Sequence, residues 1–96
     1  MNIYILRFDF HDHGEHFVRS VHMTKKGALA ERLRYLCDTL LGMELDPEDV
    51  ELIDRICDNE IAKLSTVQIE DYLEDVDHIA EYAEIHSEIV IDQLYP

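Results

Sequence analysis

The chain has 96 residues, 47% of them apolar, and a formal net charge of −14. This length and apolar content suit a single domain with one modest core, over residues 1–96, and argue against two domains. The sequence contains no run of eighteen apolar residues and no basic-then-apolar leader, and so predicts a cytoplasmic protein without a signal segment or a membrane span.

Negative charge is concentrated in the C-terminal half of the chain. Residues 44–96 contain seventeen Asp or Glu but only two basic residues, Arg55 and Lys63, whereas residues 1–43 contain five acidic and six basic residues. Because summed surface charge steers association, this asymmetry predicts a basic protein partner. It disfavours nucleic acid and anionic membranes as direct ligands, since both repel a polyanion.

The first part of the chain predicts a β-hairpin. Residues 2–10 alternate in the manner of a half-buried strand, with Arg7 and Asp9 on the polar face. A turn is expected over residues 11–15, followed by a β-branched and aromatic strand over residues 17–23. The apolar face of the first strand carries Tyr4, Leu6, Phe8 and Phe10.

A first helix is predicted after Thr24, whose hydroxyl suits the N-cap position. Leucines recur along it at helical spacing, and Gly42 stands where a left-handed residue would end the helix. One face of this helix is therefore expected to be buried. That face carries Leu29, Leu33, Leu36 and Leu40.

A second helix is predicted to begin at Asp46. A capping carboxylate, Pro47 at the first helical position and two following acidic residues all favour a helix start. The helix is expected to run to about Lys63. Its buried face is predicted to carry Val50, Ile53, Cys57 and Ile61.

The third helix is predicted to start at Ser65 or Thr66, with Ser65 and Gln68 at capping-box spacing. It is expected to end near His86, because the apolar residues that follow point away from its apolar stripe. The stripe consists of Ile69, Leu73, Val76, Ala80 and Ala83.

Residues 88–92 form a short β-branched run, which predicts an edge strand that joins the hairpin. The alternative is a continued helix, whose second apolar face would carry Ile85 and Ile89 for a dimer partner. With the edge strand, the element order is β-β-α-α-α-β. We therefore predict an α+β fold with an N-terminal β-hairpin, three helices and a short C-terminal edge strand.

Catalytic signatures are missing from the sequence. It contains neither a glycine-rich phosphate loop nor a nucleophile elbow, and it has only three glycines. Cys37 and Cys57 both fall on apolar helical faces, which predicts two buried, free thiols rather than a disulfide or a nucleophile. We predict a non-enzymatic protein without a cofactor.

Acidic residues follow one side of the third helix at intervals of four, three, four and three residues, opposite its apolar stripe. Like charges at these spacings repel, so the arrangement costs stability. A binding role is one explanation, and an ordinary solvated surface is the other. The third-helix row is Glu70, Glu74, Asp77, Glu81 and Glu84, and a second-helix row is Glu48, Glu51 and Asp58.

In the binding interpretation, carboxylates of this chain take the place of phosphates on the surface of a partner protein that otherwise binds DNA or RNA. A single row on a helix places one charge about every 5 Å, against about 1.7 Å along a duplex. The interpretation therefore requires the two acidic helices to lie side by side, which the short connection at residues 65–66 permits.

His11, His13 and His16 surround the predicted turn. Alternate residues of a strand share a face, so zinc or nickel binding there is an alternative function. No adjacent metal-binding motif supports it, and polar residues are usual at the tip of a hairpin. We favour an exposed turn and predict no metal site.

In size, acidity, α/β character and lack of catalytic motifs, the chain resembles phage-encoded inhibitors of host defence, the anti-CRISPR and anti-restriction proteins of the DNA-mimic type. The acidic stretch from Glu70 to Asp77 carries this resemblance. It implies an inhibitor in the host cytoplasm that occupies the basic nucleic-acid channel of a CRISPR–Cas effector or a restriction enzyme and blocks DNA binding. It also implies that the third-helix row faces Lys and Arg of the partner, with the second-helix row beside it.

A function of another class is a small interaction module or antitoxin-like protein, in which acidity serves only solubility. Such a protein would dimerise through Tyr82, Ile85 and Ile89. Ionic strength separates the two hypotheses, because an electrostatic complex weakens steeply with salt whereas an apolar dimer hardly changes.

Overall fold

The computed structural model describes residues 2–10 and 15–93, and the side chains of residues 2–9 and 18–93. Residues 11–14 of the predicted turn, which include His11 and His13, lie outside the described residues. The described residues form an α+β fold, as predicted. Its elements are β1 (Asn2–Phe10), β2 (Glu15–His22), α1 (Lys25–Leu41), α2 (Pro47–Cys57), a 3-10 turn (Ile61–Lys63), α3 (Thr66–Tyr82) and β3 (Ile85–Gln93).

The sheet places β1 between β2 and β3, and β1 is antiparallel to both. Its whole length pairs with β3, from Asn2 opposite Gln93 to Phe10 opposite Ile85. The predicted C-terminal edge strand is therefore confirmed, although it is longer than expected. The alternative of a continued helix is wrong.

The third helix ends at Tyr82 rather than near His86. Glu84 then has a φ of 58°, in the left-handed region that L residues seldom adopt. This conformation cannot continue a right-handed helix, and it reverses the chain directly into β3. Two residues thus suffice for the connection between α3 and β3.

The core lies between the sheet and the helices. Leu6 and Phe8 are buried on the face of β1 that the alternation predicted to be apolar, and the leucine face of α1 packs over them. The stripe of α3 is buried as predicted, except that Ala83 is only partly buried. Ile85 and Ile89 of β3 complete the core on the same side of the sheet, opposite Phe10 and Leu6.

The opposite face of the sheet is open among the described residues. Val18 and Val21 of β2 are 57% and 56% exposed there. They pair with Arg7 and Ile5 of β1, and residues directly opposite each other share a face. Exposed β-branched side chains on a sheet face are therefore a feature of this fold.

The second helix differs most from its prediction. It ends at Cys57 instead of about Lys63, and Ile56 rather than Cys57 is buried beside Ile53. The run from Asp58 to Glu60 breaks the helix, since Asp and Asn have low helix propensity. The side chain of Asn59 donates to the Arg55 carbonyl at 2.9 Å and so satisfies one of the groups left free at the helix end.

Two predicted helix ends also differ in detail. Asp46 precedes α2 with an extended backbone, but its side chain accepts no capping hydrogen bond. Gly42 has a φ of −82°, so it is not the left-handed residue that was expected. Hydrogen bonds from the amides of Gly42 and Met43 to Thr39 and Leu40 close α1 without such a residue.

Two N-caps are confirmed. The Thr24 hydroxyl accepts from the Gly27 amide at 3.0 Å. At α3, the Ser65 hydroxyl accepts from the Gln68 amide at 3.2 Å, and the Ser65 amide donates to the Gln68 side chain at 2.9 Å. This reciprocal pair is a capping box.

Replacing Ser65 by Ala should lower the free energy of unfolding by about 1 kcal/mol, because it leaves an amide of the first turn of α3 without its acceptor. Urea denaturation followed by circular dichroism measures the change. The matched control is Asp46→Ala, which should cost less because no capping hydrogen bond is lost. Equal losses for the two variants would contradict the assignment of the caps.

Candidate protein-binding surface

Five acidic residues of α3 are exposed and have no ion pair with any described residue of the chain. They occupy three successive turns of the helix, on the side away from its buried stripe. In proteins with ordinary solvated surfaces such residues are commonly interspersed with Lys or Arg, whereas α3 contains no basic residue other than His78. We call these residues the α3 carboxylates: Glu70, Asp71, Glu74, Asp75 and Glu81.

Asp77, which the sequence placed in the same row, has a different environment. Its carboxylate accepts from Nη2 of Arg32, whose side chain is only 14% exposed. Nε of Arg32 donates to the Ser87 hydroxyl at 2.8 Å. Through these two bonds Arg32 joins α1 to α3 and β3, so the structure assigns Asp77 a role in holding the fold together.

Glu84 lies beyond the end of α3, in the left-handed turn before β3. The predicted row therefore does not continue to its fifth member along the helix. Three of its members, Glu70, Glu74 and Glu81, remain together as exposed carboxylates on one side of α3.

The second-helix row lies in a different setting. Glu48 is exposed in the first turn of α2, Glu51 pairs with Arg55 at 3.6 Å, and Asp58 is the exposed C-cap residue. Carboxylates in the first turn of a helix stabilise it, because they oppose the positive end of the helix dipole. Glu48 therefore has a local structural explanation that the α3 carboxylates lack.

The two rows do not form one continuous surface. Ile79 of α3 and the following C-cap residue Ala83 line a cavity together with Asp46 and Asp49 at the start of α2, so this flank of α3 faces α2. Asp77 contacts α1 instead, and two residues along a helix correspond to a rotation of about 200°. The row of Glu70, Glu74 and Glu81 flanks Asp77 and points away from α2.

The position of Glu81 gives a measure of what this acidity costs. It lies in the last turn of α3, where there is no basic residue and where the helix dipole disfavours negative charge. A carboxylate in the last turn of a helix costs about 0.3–1 kcal/mol of stability at an exposed site. The charge at this end of α3 opposes folding, which favours a role outside the chain.

Sequence reasoning missed the cavity between the start of α2 and the end of α3. It has a volume of about 920 Å³, and its walls include Glu44, Asp46, Asp49 and Glu84. The ring of Tyr82, which is 83% exposed, stands beside them and meets His78 edge-on at 5.5 Å. Carboxylates beside an aromatic ring suit a cationic side chain. In the sequence, the only sign of this region was Tyr82, an aromatic residue that lies off the apolar stripe of α3.

The two cysteines also differ from the prediction. Both are free thiols, as expected, but only Cys37 is buried, whereas Cys57 is exposed. Burial, together with the neighbouring Cys57 thiol, raises the pKa of Cys37 to about 12. Burial and the neighbouring carboxylate of Asp38 raise the pKa of Cys57 as well. The sequence did not indicate that these two side chains meet.

The structure bears on one of the two alternative sites. Ile85 is 4% exposed and Ile89 packs against the core, so they do not form an exposed dimer face with Tyr82, and that prediction is wrong. The described residues include no cluster of three or more potential metal ligands. The histidines of the predicted turn lie at positions whose side chains are not described.

Comparison of the chain with protein-family models, curated proteins and solved structures finds no match. Among the described residues, no helix combines the length and the apolar character that crossing a membrane requires.

Asp77→Asn should lower the free energy of unfolding by about 1–2 kcal/mol, because the largely buried guanidinium of Arg32 loses its counter-charge at a site that is partly screened by water. Glu74→Gln, three residues away on the same side, removes the same charge from an exposed position and should change stability by less than about 0.5 kcal/mol. Urea denaturation of the two variants makes the comparison. An Asp77→Asn variant with the same free energy of unfolding as wild type would refute the structural role of Asp77.

Proposed function

We propose that this protein binds a basic, nucleic-acid-binding protein through the α3 carboxylates and thereby excludes nucleic acid from it. The partner class that we propose is a CRISPR–Cas effector or a restriction enzyme, met in the cytoplasm of a bacterial host. The observation that carries the proposal is the set of five exposed carboxylates on α3 that no described cation neutralises. The protein acts by occupying the surface, with no catalytic step.

The density of charge on α3 supports this proposal. From Glu70 to Glu81 the helix rises by about 16 Å, so the four intervals between the five carboxylates average about 4 Å. One strand of a nucleic acid carries a phosphate about every 3.4 Å. Counting both flanks of α3 therefore brings a single helix close to the density of one strand without the second-helix row.

The fold presents this charge in a rigid form. α3 is held by its capping box, by its buried stripe and by the Arg32–Asp77 ion pair. A rigid row of acids loses less conformational entropy on binding than a disordered acidic segment does. The neighbouring cavity with Tyr82 adds a place for one cationic side chain of the partner.

The test uses purified representatives of the two partner classes and a fluorescent target DNA. Anisotropy of the DNA reports its binding while the acidic protein is titrated in. We expect at least one effector or restriction enzyme to lose DNA binding at near-stoichiometric inhibitor. The inhibition constant should rise steeply with salt, since the complex is electrostatic.

The matched variants remove the same formal charge from different helices. Glu70→Gln with Glu74→Gln and Glu81→Gln should weaken inhibition at least tenfold. Glu48→Gln with Glu51→Gln and Asp58→Asn should change it less than about threefold. Equal losses of inhibition in the two triple variants would show that net charge alone is responsible. Failure to inhibit any member of either class would reject the proposed partners.

A second candidate function is supported by the open face of the sheet. Ile5 of β1 is flanked there by Val21 of β2 and Val90 of β3, and the neighbouring Arg7 and Glu88 pair at 3.6 Å. This face is far less acidic than the helical side, so a second copy of the chain can approach it with little repulsion. We propose a homodimeric interaction module as the alternative.

The size of the open face limits the strength of such a dimer. Three strands about 4.8 Å apart and about nine residues long present about 430 Å² per copy. Two faces together then bury about 860 Å², which is below the roughly 1,000 Å² expected of a specific, stable interface. A weak dimer that depends on concentration is therefore expected.

Sedimentation velocity over a concentration series tests this second function. Wild type should shift from monomer to dimer, and Ile5→Thr with Val21→Thr should remain monomeric, because polar side chains replace the apolar contact. The triple Gln variant of α3 is the control and should dimerise at least as well as wild type. A wild type that stays monomeric at the highest concentration removes this candidate.

A further inference from the structure

Cys37 and Cys57 lie on different helices but meet at the surface of the protein. Cys37 is in the middle of α1 and fully buried, whereas Cys57 is the last residue of α2 and exposed. Both line a cavity of about 430 Å³ that opens to solvent beside Asp38 and Asn59. A small molecule can therefore reach one sulfur of the pair directly.

Exposure distinguishes the roles of the two thiols. Cys57 is exposed, whereas Cys37 is 0% exposed and its burial raises its pKa to about 12. A small disulfide therefore meets Cys57 first. Only the thiolate attacks a disulfide, so the exposed Cys57 is also the attacking group.

We propose that Cys37 and Cys57 are a redox-active dithiol, which thiol–disulfide exchange with a low-molecular-weight disulfide such as oxidised glutathione converts to an intramolecular disulfide. The inference does not depend on the proposed function, because it uses neither the α3 carboxylates nor the open face of the sheet.

The exchange balances in two steps. The Cys57 thiolate attacks one sulfur of the small disulfide, whose S–S bond breaks, and the leaving thiolate takes up a proton. The Cys37 thiolate then attacks the sulfur of Cys57 and displaces the second small thiol, which takes up the proton from Cys37. The protein dithiol gives up two electrons, and one small disulfide becomes two thiols.

The fold can accept this bond with a local adjustment. The two sulfurs must come to about 2.05 Å from each other. Cys37 is fixed within α1, but Cys57 ends α2, and the three residues that follow it precede the 3-10 turn. That segment can absorb the shift without disturbing the core. The bond would fasten α2, whose buried side chains are only Ile53 and Ile56, to α1.

The test treats the native protein with oxidised glutathione in mildly alkaline buffer, where the thiolate of Cys57 is more abundant. Intact mass spectrometry should show the loss of two hydrogens and no alkylatable thiol, and peptide mapping should place the bond between residues 37 and 57. The midpoint of thermal unfolding should rise by about 10 °C or more. A reductant should reverse both changes.

Single variants separate the two steps. Cys37→Ala should stop at a stable glutathione adduct on Cys57, and Cys57→Ser should stay unmodified, because Cys37 is buried. Circular dichroism checks that each variant is folded, and Cys57→Ser tests the exposed member without opening the core. An adduct that accumulates on wild-type Cys57 without closing, or thiols that remain alkylatable, would overturn the proposal.

Discussion

Burial of one face of β1 beneath the helices is the interaction on which the rest of the structure depends. β1 is the central strand, so its register sets the positions of both β2 and β3. Leu6 and Phe8 are almost completely buried against the leucine face of α1 and the stripe of α3. This packing occupies the inner side of each helix, so every acidic side chain of α3 must lie on its flanks or outer side. The presentation of the negative charge is a consequence of the core.

Much of the fold could be predicted because its signals are local. Alternation in β1, the Thr24 cap and the reciprocal Ser65–Gln68 pair each depend on residues within a few positions of one another. The end of α2 could not be predicted in the same way. Whether Ile56 or Cys57 faces the core is decided by how α2 rotates against α1, which is a tertiary contact. The left-handed Glu84 also escaped notice, because the sequence shows no glycine there.

The candidate surface shows the same division between local and tertiary information. Helical spacing correctly placed Glu70, Glu74 and Glu81 on one exposed side of α3. The same spacing also selected Asp77, since periodicity cannot indicate that Arg32, 45 residues earlier in the chain, lies beside it. Spacing within each helix also does not predict how two helices are rotated relative to each other. The binding interpretation required the two rows to lie side by side, and in the structure they face different directions.

The pairing of β1 with β3 has a consequence for the order in which the protein can fold. The first and the last described strands are neighbours along their whole length, so the contacts that complete the sheet join residues 75 to 91 positions apart. Such topologies fold slowly, since a long loop must close before its contacts are gained. During synthesis β1 emerges first and β3 emerges last of these elements. Until then the edge of β1 has no partner on that side, and Leu6 and Phe8 lack part of their cover, so the nascent chain passes through a stage in which its most apolar strand is exposed.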